Sequence, residues 1–379
     1  MQPRLALPLA TEDVLAIDGV ELTPPAPGAL VPPRAFHSPA LFELEERAIF
    51  ARSWVHVADL IDVPGPGDFA AASIGRTPVL LIRDRETGEL RGFLNACRHR
   101  GAQLVEGSGH CERQLRCPYH AWSYGSDGRL IGVPHRDEFA CDVSERGLVS
   151  VRVGTAGPMI FACLDPSAPE LGEWLGQLPE ALGAAGVGSW RLAWELAFEV
   201  DANWKLFVEN ANDGYHIEFV HDVLTDLVVL DSGETTLEAH GAYSMADVNP
   251  AYVPPELGSA RIRFGCVFPS LIPVLTPGDL TYIRVDPMAV DKLRLFVRSY
   301  DDQPDDSPLR ELRRQATVRT TEQDIAVVLR AQRGLRAHGL PPGVHGARLE
   351  DRIGHFERLW AEALAKSHAV AGDRGAALR

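Results

Sequence analysis

The sequence predicts an α+β protein in which a small all-β unit is followed by a larger mixed region. Short β-like runs such as TPVLLIRD and RLIGV, separated by Gly, Asp and Pro, occupy residues from about 55 to 165. Longer strand-like runs return at 190–202 and 260–300. From residue 307 onward the spacing of apolar residues is helical. These three observations predict strands and helices in separate stretches of the chain.

The segment before the all-β unit predicts an arm and one helix. Residues 1–36 are rich in Pro and small residues and end in VPPRAF. Ser38 can cap a helix and Pro39 suits its first position, with Leu41 and Leu44 near helical spacing behind them. We therefore expect an extended arm followed by a helix.

The helices after the all-β unit have clear start signals. The run EWLGQLPEALGAAG, residues 173–186, predicts one helix that ends in glycines. The segment 203–230 is mixed in character. Ser307-Pro308 starts a C-terminal helix, and Thr321 can start another. We find neither an internal repeat nor a low-complexity tract.

Composition excludes several classes of partner. The chain has 379 residues and a net charge of −15, which argues against nucleic acid or an anionic membrane as its main partner. The N-terminus has no sustained apolar core and no run of about 18 apolar residues occurs, so we expect neither a signal peptide nor a transmembrane helix. Six cysteines in so long a chain do not suggest a disulfide scaffold. We expect a cytoplasmic protein with reduced cysteines, in which clustered cysteines point to metal.

The first candidate metal site is a matched double pair, Cys97-x-His99 and Cys117-x-x-His120. Zinc is one interpretation, because two Cys and two His complete a tetrahedral site. Zinc sites usually pair like with like, however, whereas each loop here carries one thiol and one imidazole. That arrangement favours a [2Fe-2S] cluster in which one iron is held by both thiolates and the other by both imidazoles.

A second constellation lies in NWKLFVENANDGYHIEFVHDVL, residues 203–224. His216 and His221 are five residues apart, which is about 140° around an ideal helix. They can share a metal only if the helix is distorted or broken there. Two His and one carboxylate leave open positions on iron(II) for oxygen. Asp213, just before Gly214, is either part of this site or an ordinary turn residue.

The third ligand of that site has to come from elsewhere in the chain. TEQDIAVVLRAQRGL, residues 321–335, offers Glu322 and Asp324. If Thr321 is an N-cap, Asp324 takes the third helical position and can serve as a capping residue instead. The residues alone leave ligation and capping open for Asp324.

Together these motifs resemble the Rieske-type non-haem iron oxygenases, specifically the large α-type terminal oxygenase subunit of the aromatic-ring-hydroxylating dioxygenases. The resemblance covers roughly residues 36 to 335. CRHRG and CPYHAW match the surroundings of the Rieske ligands, and NWK…EN…D-x-YH-x4-H is similar to the mononuclear iron motif. The resemblance implies iron ligation by His216, His221 and Asp324. It also implies that Asp213 bridges the two metal centres.

The resemblance also implies a fold and a domain arrangement. An all-β Rieske [2Fe-2S] domain, residues 51–165, would be inserted in a catalytic helix-grip domain with a long antiparallel sheet. The catalytic domain would comprise residues 166–379, joined by an N-terminal arm and helix at 1–50. The apolar walls of its pocket are expected from 206–230 and 262–285.

The implied activity is that of a terminal oxygenase with two iron cofactors, the Rieske cluster and a mononuclear Fe(II). It would use O2 and two external electrons to hydroxylate a small organic substrate by monooxygenation, dioxygenation or oxidative demethylation. The substrate is left open among an aromatic acid, an alicyclic compound and an N- or O-methyl group. By resemblance, Asp rather than Glu at position 213 is less typical of oxygenases acting on quaternary ammonium compounds.

The resemblance further implies partners. The sequence has no Gly-rich dinucleotide motif, so electrons from NAD(P)H would arrive through a separate reductase or ferredoxin. The expected assembly is a homotrimer, with an added β subunit as the alternative. Two rival functions are a Rieske electron carrier without oxygenase chemistry and a zinc-stabilised binding module.

Overall fold

Two seven-stranded antiparallel sheets organise the chain in the computed structural model, which describes residues 16–252 and 259–376. The expectations about a signal peptide and the start of the N-terminal arm concern residues 1–15, which lie outside the described residues. No helix in the described part of the chain is both long and apolar enough to span a membrane.

The first sheet forms the predicted all-β unit. A short N-terminal ribbon of β1 Ala16–Ile17 and β2 Val20–Glu21 precedes it. The strands of the large sheet are β3 Val55–Asp59, β4 Asp68–Ile74, β5 Thr77–Arg83, β6 Leu90–Leu94, β7 Ser108–His110, β11 Ser150–Ala156 and β12 Met159–Cys163. A small neighbouring sheet consists of β8 Leu115–Arg116, β9 Ser123–Tyr124 and β10 Leu130–Gly132. The order in the large sheet is β3-β12-β11-β6-β5-β4-β7, and β8 to β10 form a three-stranded sheet. The small sheet and the loops around it have their own apolar core.

The second sheet is long, antiparallel and built from the later part of the chain. Its strands are β13 Arg191–Val200, β14 Val228–Glu238, β15 Gly241–Val248, β16 Arg261–Val267, β17 Leu271–Thr276, β18 Asp279–Ala289 and β19 Lys292–Asp301. Their order is β13-β19-β18-β17-β16-β15-β14, so every sequential pair from β14 to β19 is adjacent. The predicted α+β class with a long antiparallel sheet is confirmed.

The described residues also contain eight α-helices, beside short 3-10 turns: α1 Pro39–Ala48, α2 Leu171–Leu175, α3 Leu178–Ala185, α4 Trp204–Asn212, α5 Ile217–Val220, α6 Asp222–Leu227, α7 Pro308–Gly334 and α8 Asp351–Ala376. The Ser38 side chain accepts a hydrogen bond from the backbone of Leu41 at 3.2 Å, as expected for an N-cap.

Two helix predictions are wrong. The segment 173–186 is not one helix, because Gly176 adopts φ +56° between α2 and α3 and interrupts it. Thr321 does not start a helix either. It lies within α7, which runs without a break from Pro308.

The helix α4 lies over the second sheet. It packs against β16 and β18 on one side and against α7 and α8 on the other. The N-terminal helix α1 also packs against α8, although more than 300 residues separate them in sequence. We therefore propose that residues 1–50 belong with 166–379 in one domain and that 51–165 form the inserted domain.

A buried polar cluster centred on Asp59 joins the two sheets. Asp59 ends β3, and its carboxylate accepts hydrogen bonds from Tyr282 at 2.5 Å and Tyr300 at 2.6 Å, on β18 and β19. Arg298 adds an ion pair at 3.0 Å. Burial opposes ionisation of Asp59, but hydrogen bonds from His56 and the two tyrosines outweigh it and lower the pKa to about 2. Asp59 therefore connects the two sheets through hydrogen bonds and an ion pair.

Candidate metal centres

The two Cys–His loops have the same backbone geometry. In the first, the Gly101 amide donates to the Cys97 carbonyl at 2.9 Å, and the Cys97 amide donates to Ala102 at 2.8 Å. In the second, Ala121 donates to the Cys117 carbonyl at 3.0 Å, and Cys117 donates to Trp122 at 2.8 Å. The fourth residue after each cysteine has positive φ, +72° at Gly101 and +59° at Ala121. The matched spacing in the sequence therefore corresponds to two matched turns.

The two thiols of these loops meet in the interior of the small apolar core. Cys97 and Cys117 are each 3% exposed, and their side chains are in contact. The Tyr124 hydroxyl lies 3.2 Å from the Cys97 sulfur and accepts a hydrogen bond from the Arg98 amide at 2.9 Å. Burial and the neighbouring Cys117 raise the pKa of the Cys97 thiol, while Tyr124 opposes the shift. A bound metal would favour the thiolate, and Tyr124 could then donate to it.

The two imidazoles form a second pair. The rings of His99 and His120 are 4.6 Å apart, and the Trp122 ring stacks on His99 at 4.9 Å and fixes its plane. Burial first, and the nearby His120 second, lower the pKa of His99 and so favour its neutral form. Its Nδ1 is buried and has no hydrogen-bond partner among the described residues. An unpaired lone pair in that position fits a metal ligand.

The donor set therefore fits a two-iron cluster. A [2Fe-2S] centre of this type needs one thiolate pair and one imidazole pair held by separate turns. The loops provide both pairs, and no cysteine among the six forms a disulfide. Pairing of thiol with thiol and imidazole with imidazole is the arrangement expected from the sequence.

The second site depends on a broken helix. The helix α4 ends at Asn212, and Asp213 takes extended angles, φ −90° and ψ 116°. Its Oδ1 accepts hydrogen bonds from the backbone amides of Tyr215 at 2.6 Å and His216 at 3.2 Å, which forms the turn. His221, with φ −107° and ψ 117°, then separates α5 from α6. The helix break that two histidines five residues apart require is confirmed.

Three donor atoms converge across this break. The Nε2 atoms of His216 and His221 are 3.1 Å apart, and Asp324 Oδ1 lies 3.3 Å from the first and 3.1 Å from the second. Donors bound at about 2.1 Å and at right angles around one metal lie about 3.0 Å apart. The triangle therefore has the size that a single metal ion requires, and two His with one carboxylate suit iron(II).

The electrostatics of the triangle also favour a cation. Burial lowers the pKa of His216, but Asp213 and Asp324 outweigh it and raise the pKa to about 9. Burial would raise the pKa of Asp324, yet His216 and His221 hold it below its ordinary value. Two carboxylates thus face one pair of imidazoles, and the site attracts positive charge.

Each histidine of the triangle has a partner at its outer nitrogen. Asp213 Oδ2 lies 3.2 Å from His216 Nδ1, within ion-pair distance but outside hydrogen-bond geometry. Gln323 Oε1 lies 3.1 Å from His221 Nδ1. Asp213 is therefore both a turn residue and a neighbour of the candidate ligand His216.

Capping does not explain Asp324. It lies in the interior of the 27-residue helix α7, far from the N-cap Ser307, and is 8% exposed. Asn210 on α4 donates to its Oδ1 at 2.8 Å. Glu322, the alternative ligand, is exposed and is not among the converging groups. The geometry therefore favours Asp324 over Glu322.

A cavity of about 280 Å³ reaches the triangle. Asp213, His216 and Asn210 form its polar side, and Glu209 lies beside them. Its apolar walls are Leu206, Val220, Val327, Val328, Ala331 and Ile353. Residues of 206–230 thus line this cavity together with α7 and α8, and the contribution expected from 262–285 stays a prediction.

Sequence analysis missed two residues of these sites, Tyr124 and Gln323, and it gave no role to Glu209, which lies in the NWK…EN motif. Burial first, and then Glu357, raise the pKa of Glu209 well above its ordinary value, and its Oε1 has no hydrogen-bond partner among the described residues. For Gln323 the only sequence signal was that it precedes Asp324.

The fold and both sites correspond to one family. Residues 53–151 match the Rieske [2Fe-2S] domain, and residues 186–366 match the catalytic domain of the ring-hydroxylating α subunit. The chain belongs to the Rieske non-haem iron oxygenase α subunits, with a Rieske domain followed by a ring-hydroxylating catalytic domain.

Two groups of relatives differ in what they act on. The chain is 37% identical over 194 residues to the anthranilate 1,2-dioxygenase large subunit of Acinetobacter baylyi, which covers 49% of this chain and 41% of that protein. It is 31% identical over 227 residues to a glycine betaine monooxygenase oxygenase subunit of Pseudomonas aeruginosa, which covers 59% of this chain and 53% of that protein. The match thus spans about half the length of these curated relatives.

Solved structures agree with the fold over most of the chain. The quaternary ammonium Rieske monooxygenase CntA superimposes with a TM-score of 0.79 at 25% identity, covering 88% of this chain and 94% of that one. Naphthalene 1,2-dioxygenase from Rhodococcus sp. gives 0.70 at 21% identity, with coverage of 88% and 94%. The second of these similarities concerns the fold alone.

Proposed function

We propose that the protein is the terminal oxygenase of a multicomponent system and hydroxylates a small organic substrate with O2. The proposal rests on the triangle of His216, His221 and Asp324, whose donor atoms lie 3.1–3.3 Å apart, in a chain that also has a Rieske domain. For a monooxygenation, RH, O2, two electrons and two protons give ROH and H2O. Dioxygenation and oxidative demethylation draw on the same two electrons.

The side chains of the catalytic domain have distinct parts in this proposal. His216, His221 and Asp324 would hold a mononuclear Fe(II), whose open positions supply the oxygen chemistry. Asn210 donates to Asp324 Oδ1 and restrains the carboxylate. Glu209 lines the cavity, and burial first and Glu357 second raise its pKa well above the ordinary value; in its protonated form it would donate a hydrogen bond to a polar group there. The apolar walls exclude water from the substrate.

The [2Fe-2S] cluster would be held by Cys97, Cys117, His99 and His120, and it would supply one-electron transfer. We propose NAD(P)H as the electron source, through a separate reductase or ferredoxin. The exposed Arg116 and Arg136 of the Rieske domain suit an acidic redox partner. We place the enzyme in the cytoplasm, where its free cysteines remain reduced.

We propose a homotrimer in which the Rieske centre of one subunit faces the mononuclear site of the next. In support, exposed aromatic rings lie at both sites: Tyr119 against His120, and Tyr215 and Phe219 beside His216. Asp213 would then join His216 to His120 of the neighbouring copy. An additional β subunit is the alternative assembly, and light scattering of the purified chain separates the two.

The cavity favours a substrate with a compact apolar ring. Quaternary ammonium groups are usually held by aromatic rings, whereas the residues that line this cavity are aliphatic apart from its polar side. We therefore propose an aromatic or alicyclic substrate rather than a betaine. Only about half of the glycine betaine monooxygenase aligns with the chain, so that similarity does not decide the substrate.

A substrate panel with a surrogate reductase tests the function. One-ring aromatic acids, alicyclic acids, N- and O-methyl compounds and betaines are each supplied with isotopically labelled O2. We expect labelled hydroxylated product from a ring substrate and none from betaines. Enzyme that contains both metals but forms no labelled product from any substrate would contradict the oxygenase proposal. Labelled product only from betaines would contradict the substrate proposal alone.

The metal content of the purified protein distinguishes an oxygenase from the two rival functions, an electron carrier and a zinc-stabilised binding module. An electron carrier without oxygenase chemistry has a Rieske spectrum but takes up no iron at the His-His-Asp triangle. A zinc-stabilised module is colourless. We expect a brown protein with the visible absorption of a Rieske cluster and additional iron at the triangle.

A further inference from the structure

One contact of the candidate iron site has no counterpart in the sequence motif. His221 is 3% exposed, and its Nε2 is the nitrogen that faces His216 and Asp324. Its other nitrogen, Nδ1, lies 3.1 Å from Oε1 of Gln323. A neutral imidazole carries one hydrogen, and the hydrogen-bond partner of one nitrogen decides which nitrogen keeps it. The Gln323 contact therefore bears on whether Nε2 is free to bind a metal.

The orientation of the Gln323 amide is set by its surroundings. An amide presents oxygen or nitrogen in nearly the same shape, so its neighbours must decide which end faces His221. The Gln323 side chain also interacts with the Asp222 carboxylate, which can only accept hydrogen bonds. The amide nitrogen therefore faces Asp222, and the carbonyl oxygen is left for His221 Nδ1.

The Asp222 carboxylate, which decides the orientation of the Gln323 amide, is itself paired with a cation. Arg319 forms an ion pair with Asp222. Arg319 and Gln323 are four residues apart on α7 and therefore lie on the same face of the helix. The side chains thus form a continuous line from the exposed Arg319 through Asp222 and Gln323 to the buried His221.

We infer that Gln323 is a positioning residue of the mononuclear metal site, whose carbonyl holds the hydrogen of His221 on Nδ1 and turns Nε2 to the metal. Asp222 and Arg319 support it by fixing the amide. This inference rests on the proposed iron site. The role of Gln323 differs from that of Asp213, because Gln323, the partner of His221, is uncharged, whereas Asp213, the partner of His216, is a carboxylate.

The test measures binding of Fe(II) alone, without turnover. The mononuclear metal is removed by a chelator under conditions that leave the Rieske spectrum intact, and Fe(II) is titrated back without oxygen. Gln323→Met keeps the length of the side chain but removes the acceptor, and we expect about 10- to 100-fold weaker Fe(II) binding. Gln323→Glu keeps an acceptor at the same reach but faces the Asp222 carboxylate, so it is combined with Asp222→Asn, and this double variant should restore most of the affinity.

Two further variants control this result. Gln315→Met is the same change on the same helix at an exposed residue, whose amide contacts Glu311 instead, and it should leave Fe(II) binding unchanged. Asp222→Ala keeps Gln323 but releases its amide, so we expect a smaller loss than with Gln323→Met. The thermal midpoint and the Rieske spectrum should be the same in all of these proteins.

The outcomes distinguish this inference from the function on which it rests. If the wild-type protein takes up no Fe(II) at the triangle, the proposed function fails and the inference with it. If the wild type binds Fe(II) and Gln323→Met binds it equally well, only the inference is overturned. The same holds if the double variant Gln323→Glu with Asp222→Asn loses as much affinity as Gln323→Met, because the acceptor would then have no part in the effect.

Discussion

The two candidate metal sites of this chain are built in different ways. The cluster site uses two turns with the same hydrogen bonds, each with its ligand pair within four residues. The mononuclear site uses a helix that breaks at Asp213 and again at His221, and it completes its ligand set with Asp324 from a helix more than 100 residues later. One site is local and repeated, and the other is assembled from distant parts.

This difference has consequences for the order in which the sites can form. The cluster loops close their own backbone hydrogen bonds inside a small apolar core, so the site needs little from the second sheet. The triangle exists only when α7 packs against α4 and brings Asp324 to the histidines. We therefore expect the two metals to be lost independently, and variants of each site test this.

The largest effect is expected at the cluster. Cys97→Ser or His120→Ala should abolish the visible Rieske spectrum and turnover, because hydroxyl and methyl groups cannot replace thiolate and imidazole as ligands. Iron analysis should show that the mononuclear iron remains. Cys141→Ser, at an exposed free cysteine, is the matched control and should keep the spectrum. A normal spectrum in Cys97→Ser would refute the ligand assignment.

The converse variant acts on the mononuclear site. His216→Ala should remove that iron and turnover while the Rieske spectrum stays intact, because the loops of the cluster do not depend on the broken helix. Asp324→Ala should weaken iron binding in the same assay. Glu322→Ala, exposed on the same helix, should change neither metal. If Glu322→Ala lost the iron and Asp324→Ala kept it, the carboxylate ligand would have been assigned wrongly.

The same contrast explains how much the sequence could predict. The cluster ligands lie within 24 residues and repeat a spacing, so local chemistry was sufficient to propose a two-iron site. The helix break followed from the angle between His216 and His221. The choice of Asp324 over capping needed the family resemblance, because it depends on where α7 begins. Tyr124, Glu209 and Gln323 act through contacts that the fold creates and that have no periodic signal.

A smaller and more selective effect is expected at Asp213, which contacts a ligand without being one. Asp213→Ala should keep the Rieske cluster and, with Fe(II) in excess, the mononuclear iron, but lose turnover, because the proposed link between subunits is broken. Single-turnover mixing of the reduced enzyme with substrate and O2 measures it through Rieske reoxidation. Asp226→Ala, at an exposed carboxylate on α6, is the control. Reoxidation and product formation at the wild-type rate in Asp213→Ala would exclude a bridge.

The smallest effect, on stability, is expected from one variant in each of the two cluster loops. Gly101 and Ala121 occupy equivalent positions with φ +72° and +59°, but only glycine adopts such angles without strain. A Cβ added at Gly101 meets nothing within 4 Å, so Gly101→Ala introduces backbone strain alone and should lower the free energy of unfolding by about 1 kcal/mol.

Ala121→Gly removes the corresponding strain but gives the unfolded chain more freedom, so it should raise stability by about 1 kcal/mol at most. Loss of the visible Rieske signal on heating measures both changes, each expected to shift the midpoint by about 2–4 °C or less. If Gly101→Ala left the midpoint unchanged, the positive φ at Gly101 would cause no strain in an alanine, and the turn would not require glycine at that position.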